Sequence, residues 1–410
     1  MRIAFLSVSA EAGGSEVSLL TLLRGLRRLA PDWALDLVVP REGPLASAAR
    51  DVGVAVHVLP LPARLSRLGE QSARGAAALA GRGASLLLAA GGSALYSRRL
   101  AQRLDALRPD VVHTNGFKLH VLGARAVPAG TPLVWHLHEY IGTRPISGAL
   151  LRRYAPRCAA IVANSRSVAA DVRATIGPDA PVTTIYNAVD AAVFAPAGDG
   201  VDLDERAALN AAPPGTVRVG LVSTFGRWKG HDTFLRALRA LPSDVAVRGY
   251  VIGDALYDTT GSQYSRADLE RQVAALGLTG RVGLTGFIDR PAAAMRALDI
   301  VVHASTQPEP FGLVIAEGMA SARAVVVSAA GGAEELVTDG VDAVTHAPGD
   351  VEGLSRCIAS LARDASLRQR LGAAARATAI RLFDPDAFTR RFIHVYETSR
   401  DRALVRAAGA

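Results

Sequence analysis

Two successive series of short apolar segments, alternating with helical patterns, constrain the fold of this 410-residue chain more than any other feature. Apolar runs of this length are typical of strands buried on both faces of a parallel sheet. The first series is predicted at 2–8, 35–40, 54–59, 110–114, 132–138, 159–164 and 182–186. The second is predicted at 217–223, 247–252, 282–285, 299–303, 324–328 and 343–346. Strand alternating with helix therefore predicts two α/β units, each built on a parallel sheet.

A region rich in proline and glycine separates the two series. The pattern breaks at 195–200 and again at 211–215, and a chain of 410 residues exceeds what one hydrophobic core usually covers. We therefore predict a first domain over 1–195, a linker over 196–216 and a second domain over 217–383. The segment from about 61 to 108 interrupts the first series and is interpreted as a helical insertion.

The last 27 residues, 384–410, carry a helix signal of their own. Asp384 and Pro385 form a good helix start, and Phe388, Phe392 and Tyr396 then repeat at helical spacing. An apolar stripe needs a partner surface, which either domain could provide.

Cysteine usage and the first residues both favour a cytoplasmic protein. Cys158 and Cys357 are far apart and lie in no metal-like spacing, which suits a reducing compartment. The first strand begins directly after Met1, which leaves no room for a signal peptide. The apolar stretch 83–96 is too short to span a bilayer.

Positive charge is concentrated in the first half of the chain. Residues 1–190 hold 22 Arg and Lys against 13 Asp and Glu, whereas residues 191–410 hold 24 against 25. The arginines in and near the insertion are Arg64, Arg67, Arg74, Arg82, Arg98, Arg99, Arg103 and Arg108. They are compatible with an anionic membrane surface or with a general preference for arginine in this chain. Few aromatic residues accompany them, so nucleic acid is not an expected partner.

Two carboxylates, Glu309 and Glu317, lie eight positions apart across a predicted helix start. Glu309 follows the strand 299–303, and the helix begins after Gly312. Ligands of open α/β sheets bind at this edge, and the backbone N–H groups around Phe311 and Leu313 attract phosphate. Eight helical residues span roughly 12 Å. The pair can therefore bracket a sugar nucleotide, with Glu309 accepting hydrogen bonds from sugar hydroxyls and Glu317 from ribose hydroxyls.

A glycine-flanked loop carrying Arg227 and Lys229 follows the first strand of the second series. Lys229 is informative because the 46 basic residues include only two lysines. Two cations at a sheet edge can neutralise a diphosphate leaving group as its bond to the sugar breaks. A solvated cationic turn is the alternative.

In the first domain, Gly13 and Gly14 precede a helix, so their N–H groups could approach donor phosphates or the acceptor. His136 and His138 share one face of a strand, with His138 nearer the carboxyl end. Either could instead be an ordinary core histidine. Further candidates for the acceptor side are Asn115, Lys118 and His120.

The motifs of this chain, taken in order, resemble those of the retaining GT-B glycosyltransferases of family four. The segment from Glu309 to Glu317 resembles the E-x7-E signature of that family. Preceding it in the expected order are Gly13-Gly14-Ser15-Glu16, His138-Glu139, Asn164-Ser165, Asn187-Ala188-Val189-Asp190, Gly226-Arg227-Trp228-Lys229-Gly230 and Gly286-Phe287, and Gly331-Gly332 with Glu335 follows. The resemblance covers nearly the whole chain.

The resemblance implies a GT-B fold, in which two Rossmann-like domains face a cleft and the last helix crosses back to the first domain. It implies transfer of a hexose-type sugar, with retention, from a UDP- or GDP-linked donor to a glycan or lipid-linked acceptor in cell-envelope or exopolysaccharide synthesis. His138 would contact the transferred sugar or position the acceptor, oriented by Glu139, and Glu335 would order the nucleotide pocket. The donor is a co-substrate, so no cofactor is expected.

A metal ion is not expected either, because Asp202 and Asp204 form a D-x-D pattern only within the linker. Two alternatives remain open from the sequence: a sugar-nucleotide epimerase or other GT-B enzyme, and a catalytically silent sugar-nucleotide-binding protein. An epimerase would need the donor but no acceptor.

Overall fold

The structure, a computed structural model, describes residues 1–11, 13–62, 82–255 and 261–408, with the backbone alone described for 82–91 and 408. It divides into two compact units. Unit 1 comprises Met1–Asn187 together with Pro385–Ala410, and unit 2 comprises Ala188–Asp384. Each unit holds one parallel sheet, as the sequence predicts.

Unit 1 contains a seven-stranded parallel sheet in the order β3-β2-β1-β4-β5-β6-β7. Its strands are β1 Arg2–Ser7, β2 Ala34–Val39, β3 Ala55–Val58, β4 Val111–Asn115, β5 Leu133–Leu137, β6 Cys158–Ala163 and β7 Val182–Thr184. Its helices are α1 Gly14–Leu29, α2 Pro44–Asp51, α3 Arg82–Leu107, α4 Phe117–Ala126, α5 Pro145–Tyr154 and α6 Arg166–Ile176, with a 3-10 turn at Ala155–Arg157.

Unit 2 contains a six-stranded parallel sheet in the order β10-β9-β8-β11-β12-β13. Its strands are β8 Val217–Val222, β9 Val247–Ile252, β10 Val282–Gly286, β11 Ile300–His303, β12 Ala324–Ser328 and β13 Val344–His346. Its helices are α7 Leu203–Arg206, α8 His231–Arg239, α9 Arg266–Ala275, α10 Pro291–Arg296, α11 Leu313–Ala320, α12 Val351–Arg363 and α13 Ala365–Leu382, with 3-10 turns at Arg227–Lys229 and Gly332–Leu336.

The central strands form because they can bury both faces. In β1, Ile3, Ala4, Phe5 and Leu6 have no exposed surface, and β11 and β12 are buried along their whole length. A run of this kind has no polar face to present to water, so it is stable only between two layers of helices. Both sheets also reverse their strand order, between β1 and β4 and between β8 and β11. Such reversals open crevices at the carboxyl edge of a sheet.

The last helix, α14 (Pro385–Ala408), belongs to unit 1, which confirms the expected return of the chain. It packs against α1, and its stripe of Phe388, Phe392 and Tyr396 is buried. The two helices approach closely at Gly25, where a Cβ atom would overlap the side chain of Thr389. Glycine at that position therefore lets the two backbones come together.

The predicted linker 196–216 is part of unit 2, which begins at Ala188. Arg296 donates to the carbonyl oxygens of Val193 and Asp199, and Asp204 of α7 accepts from Arg248 and from the hydroxyl of Tyr250. These contacts tie the segment to the second sheet. A proline- and glycine-rich composition marks the absence of regular structure, but it does not reveal such tertiary anchors.

The insertion is described only in part. Arg64, Arg67 and Arg74 lie outside the described residues, as does the side chain of Arg82. Helix α3 occupies the rest of the segment, and Arg98, Arg99, Arg103 and Arg108 are exposed. Among the described residues, no helix is both long enough and apolar enough to cross a bilayer.

Candidate active site

The candidate site of unit 2 lies where the strand order of its sheet reverses. Strands β8 and β11 are neighbours, and the loops that follow them carry Lys229 and Glu309. Gly230 allows these loops to touch: its φ is +79°, and a Cβ atom there would overlap the backbone of Ala304. A side chain at this position would separate the loops.

Lys229 and Glu309 form a two-pronged ion pair. The Nζ of Lys229 lies 3.1 Å from Oε1 and 3.0 Å from Oε2 of Glu309. Only 19% of the Lys229 side chain and 9% of the Glu309 side chain are exposed. The ammonium also lies 3.9 Å from the centre of the Trp228 ring, an attractive cation–π contact.

Two further side chains hold the carboxylate of Glu309. The hydroxyl of Ser305 donates to Oε2 at 2.9 Å, and Nε2 of His303 lies 3.3 Å from the same atom. Burial alone would raise the pKa of Glu309, but the charge of Lys229 and the contact with His303 outweigh it and lower the pKa to about 2. Glu309 is therefore an ionised, fixed acceptor of hydrogen bonds.

Helix α11 begins beside this carboxylate. Gly312 has a φ of +91° at the N-cap, and Leu313 opens the helix, so its first N–H groups have no partner within the helix. The ring of Phe311 is buried and packs edge-on against Phe383. Phe311 therefore anchors the loop through its side chain, and only its backbone can serve a ligand.

Glu317 lies on α11, and its carboxyl group differs from that of Glu309 in its contacts and in its pKa. Its side chain is half-buried, and within the described residues its carboxylate has neither a hydrogen-bond partner nor an ion pair. Burial raises its pKa to about 8. A partly buried carboxyl group without a partner among the described residues costs folding free energy, which makes Glu317 a candidate for ligand binding.

The two cations of the β8 loop point in different directions. In the 3-10 turn, Arg227 is exposed and lies 4.3 Å above the ring of Tyr264, beside a cavity of about 330 Å³ that Asp268 and Arg271 also line. Successive residues of a 3-10 helix differ by about 120°, so side chains two positions apart diverge. The structure brings Lys229 to Glu309 and leaves Arg227 apart from that pair.

In unit 1, Gly13 is the N-cap of α1, and a Cβ atom at Gly14 would meet nothing within 4 Å. Asn115 is buried and donates to the carbonyl of Ser15 at 3.2 Å, so it supports the glycine loop from below. Lys118 is half-buried in the first turn of α4. His120 is buried and hydrogen-bonded to Thr114, which places it in the core and not on the acceptor side.

His138 lies just beyond β5, half-buried, with its Nε2 atom buried. Burial lowers its pKa to about 3, so the ring is neutral. The expected partner Glu139 instead pairs with Arg144 at 2.8 Å, an ion pair that draws its carboxylate to the surface. His136 is fully buried behind His138, with ring centres 4.0 Å apart.

Some residues of the site have only weak sequence signals. His303 and Ser305 end an apolar strand with polar side chains, a pattern that could have indicated their contact with Glu309. Phe287, directly after β10, exposes 67% of its surface at the carboxyl edge of the sheet. Glu335 lies half-buried in the 3-10 turn at Gly332–Leu336.

Asp202 caps α7, and Asp204 is held by Arg248 and Tyr250, so the D-x-D pattern serves the fold.

Two family descriptions match consecutive parts of the chain. Residues 12–193 match the description "Glycosyltransferase Family 4", and residues 205–378 match "Glycosyl transferases group 1". Two Rossmann-like α/β units are the architecture of the GT-B class of glycosyltransferases. This chain belongs to that class as a family 4 type member.

Curated relatives match parts of the chain. The lipopolysaccharide core biosynthesis glycosyltransferase LpsE of Rhizobium meliloti is 30% identical over 178 residues, which are 43% of this chain and 49% of LpsE. The lipopolysaccharide core biosynthesis mannosyltransferase LpcC of Rhizobium leguminosarum is 34% identical over 194 residues, 46% of this chain and 52% of LpcC. The chain thus spans about half the length of these relatives.

Among solved structures, HepE of Anabaena in complex with UDP-glucose is similar over 97% of this chain and 100% of HepE, with 25% identity and a TM-score of 0.78.

Proposed function

We propose that this protein is a retaining glycosyltransferase that moves a hexose-type sugar from a UDP- or GDP-linked donor to a glycan or lipid-linked acceptor of the cell envelope. The observation that carries the proposal is the Lys229–Glu309 pair at the switch point, together with Glu317 on the adjoining helix, whose carboxyl group has no partner among the described residues. Relatives described as acting in lipopolysaccharide core synthesis, and a HepE structure holding UDP-glucose, support it.

In the proposed reaction, the diphosphate lies between Lys229 and the start of α11. Negative charge grows on the leaving diphosphate as the glycosidic bond breaks, so the Lys229 ammonium and the first N–H groups of α11 stabilise the transition state more than the ground state. When Lys229 turns to the diphosphate, Glu309 becomes available to sugar hydroxyls. Glu317 accepts from the ribose hydroxyls, which supply the partner that its carboxyl group lacks.

The acceptor is proposed to bind to unit 1, near Gly13, Gly14 and His138. Its hydroxyl attacks the anomeric carbon from the face that the diphosphate leaves, the carbon–oxygen bond to the diphosphate breaks, and the departing phosphate takes the hydroxyl proton. Configuration is thereby retained without a covalent enzyme intermediate. The positive charge that stabilises the leaving diphosphate comes from the protein and not from a metal ion. We therefore expect activity to persist in excess EDTA, which removes divalent cations.

Calorimetric titration with UDP and with GDP tests the donor site. We expect one of the two to bind, and Glu317→Ala to weaken that binding by roughly tenfold, the loss of about one hydrogen bond. Glu334→Ala is the matched control, because Glu334 is an exposed acid in unit 2. Binding of neither nucleotide would refute the donor assignment.

The same protein then separates the alternatives. When it is incubated with a sugar nucleotide that carries the base it binds, a transferase releases free nucleotide. The release is slow when water is the acceptor of the sugar and faster when an extract supplies the acceptor. An epimerase would change the sugar while the nucleotide remains attached. A silent binding protein would bind and do neither, and either of those results would overturn the proposed reaction.

A membrane surface is proposed as the place of the acceptor. Helix α5 exposes Ile146 and Leu150, 81% and 43% accessible, and carries no acid, while Arg152 and Arg153 are exposed and unpaired within the described chain. Helix α3, with exposed Arg98, Arg99 and Arg103, packs on α4, which packs on α5. Exposed apolar side chains with arginines on the same and neighbouring helices suit the interface of an anionic bilayer. A cytoplasmic location at the inner membrane face goes with this proposal.

Co-sedimentation with vesicles tests the membrane proposal. We expect binding to phosphatidylcholine vesicles that contain phosphatidylglycerol, and weaker binding of Ile146→Glu. Binding should be lost in 0.5 M salt, because the screening length is then only on the order of 4 Å. Val341→Glu is the control, because Val341 is an exposed apolar residue of unit 2. Equal binding to vesicles without the anionic lipid would refute the electrostatic basis.

A further inference from the structure

Three histidine rings form a continuous column in unit 1. His113 lies in β4, His136 in β5, and His138 just beyond the carboxyl end of β5. The ring centres of His113 and His136 are 5.4 Å apart with the planes almost perpendicular, and those of His136 and His138 are 4.0 Å apart. The column therefore leads from the interior of the sheet to the edge where His138 meets solvent.

Helix α14 supports the column from behind. The ring of Phe392 lies 4.9 Å from that of His136 and 5.7 Å from that of His113. One turn later, the hydroxyl of Tyr396 is 2.8 Å from Nδ1 of His113. This hydrogen bond fixes which nitrogen of His113 faces the helix, and the ring of Phe392 packs directly against that of His136.

The column lowers the stability of the fold. Within the part of the chain that the structure describes, Nε2 of His113, both ring nitrogens of His136 and Nε2 of His138 are buried without a hydrogen-bond partner. A buried polar group left without a partner costs about 1–3 kcal/mol. An apolar side chain at position 136 would avoid this cost, so hydrophobic packing alone does not explain a histidine there.

Burial also keeps the column uncharged. It lowers the pKa of His113 to about 3, and that of His136 well below its usual value. A neutral imidazole carries one N–H and one lone pair. Once the tautomer of a ring is set, one of its nitrogens can therefore only donate a hydrogen bond and the other can only accept one. A neighbour 4 Å away that has a dipole can set that tautomer, whereas an apolar neighbour cannot.

We propose that His136, backed by Phe392 and by the His113–Tyr396 hydrogen bond, is a positioning residue that holds the ring of His138 in one orientation and one tautomer for glycosyl transfer. The inference rests on the proposed function of His138. Through it, the C-terminal helix contributes to the active site although none of its residues needs to touch a substrate.

Nuclear magnetic resonance of the ring nitrogens tests the proposal without any substrate. In protein labelled with ¹⁵N-histidine, the signals of His138 are assigned by their loss in His138→Gln. We expect one tautomer of His138 in the wild type and an average of two tautomers in His136→Phe. Tyr396→Phe keeps all three histidines and is expected to change the tautomer of His113 and to shift the signals of His138 toward the same average. Unchanged His138 signals in both variants would overturn the proposal.

Thermal melting separates positioning from a structural role. His136→Phe removes two unpartnered nitrogens, so its Tm is expected to equal or exceed that of the wild type. The control is His57→Phe in the same sheet, because His57 is hydrogen-bonded to the buried Asp36 at 2.8 Å. We expect His57→Phe to lower Tm and to leave nucleotide release unchanged. A clear fall of Tm in His136→Phe would give that residue a structural role and contradict the proposal.

Turnover is the third measurement. With the donor that the wild type hydrolyses or transfers, kcat of His136→Phe is expected to fall about tenfold, the size of effect that a misplaced active-site group produces. The KM for the donor should remain within about twofold, because the donor contacts proposed above lie in unit 2. If no donor is turned over, the proposed function fails, and the ring-nitrogen signals still decide whether His136 positions His138.

Discussion

Replacing Lys229 by methionine is expected to reverse the pH dependence that Glu309 gives to the free energy of unfolding. Methionine keeps an unbranched side chain of similar length but removes the ammonium that lies 3.0 Å from the carboxylate. Burial is the largest influence on this carboxyl group and acts to raise its pKa. Without Lys229, the pKa of Glu309 should therefore move from below its usual value to above it.

The magnitude follows from the shift itself. The pKa of Glu309 falls from 4.5 to about 2, which at about 1.4 kcal/mol per unit corresponds to about 3 kcal/mol of unfolding free energy at pH 7. Because the folded pKa is the lower one, this contribution is complete above pH 4.5 and is lost as the pH falls toward 2. At pH 3 less than half of this contribution should remain.

Urea unfolding of wild type and Lys229→Met, compared at pH 7, 5 and 3, measures this difference. We expect the variant to be less stable by at least about 3 kcal/mol at pH 7 and the gap to narrow steadily toward pH 3. Lys229→Arg retains the charge and should preserve most of the pH dependence. A gap that is independent of pH, or one that Lys229→Arg fails to close, would show that Glu309 is not held by this ion pair.

Three further changes follow from the same geometry. Glu317→Gln should gain stability relative to the wild type as the pH rises from 4.5 to about 8, because burial raises the pKa of Glu317 and its ionisation opposes folding; equal Tm differences at pH 5 and 8 would contradict this. Gly230→Ala should lower the free energy of unfolding by more than about 3 kcal/mol, since the added Cβ atom meets the backbone of Ala304 at a positive φ. Gly215→Ala, with a similar φ and open space around it, should lower it by only about 1 kcal/mol in the same melting experiment. Asp204→Asn should lower Tm without weakening nucleotide binding in calorimetry, because Asp204 anchors the segment before β8; a loss of binding would give it a role in the site.

The strands were predictable because each is a self-contained apolar run. The predicted segment 217–223 is β8 at Val217–Val222, and 324–328 is β12 at Ala324–Ser328. A parallel strand buried on both faces needs no information from elsewhere in the chain to be recognised. The position of Glu309 at the carboxyl edge follows from the same reasoning, since it lies just after such a run.

Contacts between distant residues could not be predicted in this way. The hydrogen bond between His113 and Tyr396 joins residues 283 positions apart, and no local pattern announces it. The divergence of Arg227 from Lys229 depends on a single 3-10 turn, which a loop sequence does not specify. The anchoring of residues 188–216 on unit 2 depends on side chains such as Arg296 and Arg248, whose partners become visible only in three dimensions.

The return of α14 to unit 1 has a consequence for synthesis on the ribosome. Unit 2 is one continuous segment, Ala188–Asp384, whereas unit 1 is assembled from residues on both sides of it. The face of the first sheet that Phe392 and Tyr396 cover stays open until residues 385–408 have left the exit tunnel. The half that is translated first is therefore the half that is completed last, and during that interval part of its apolar surface is uncovered and prone to aggregation.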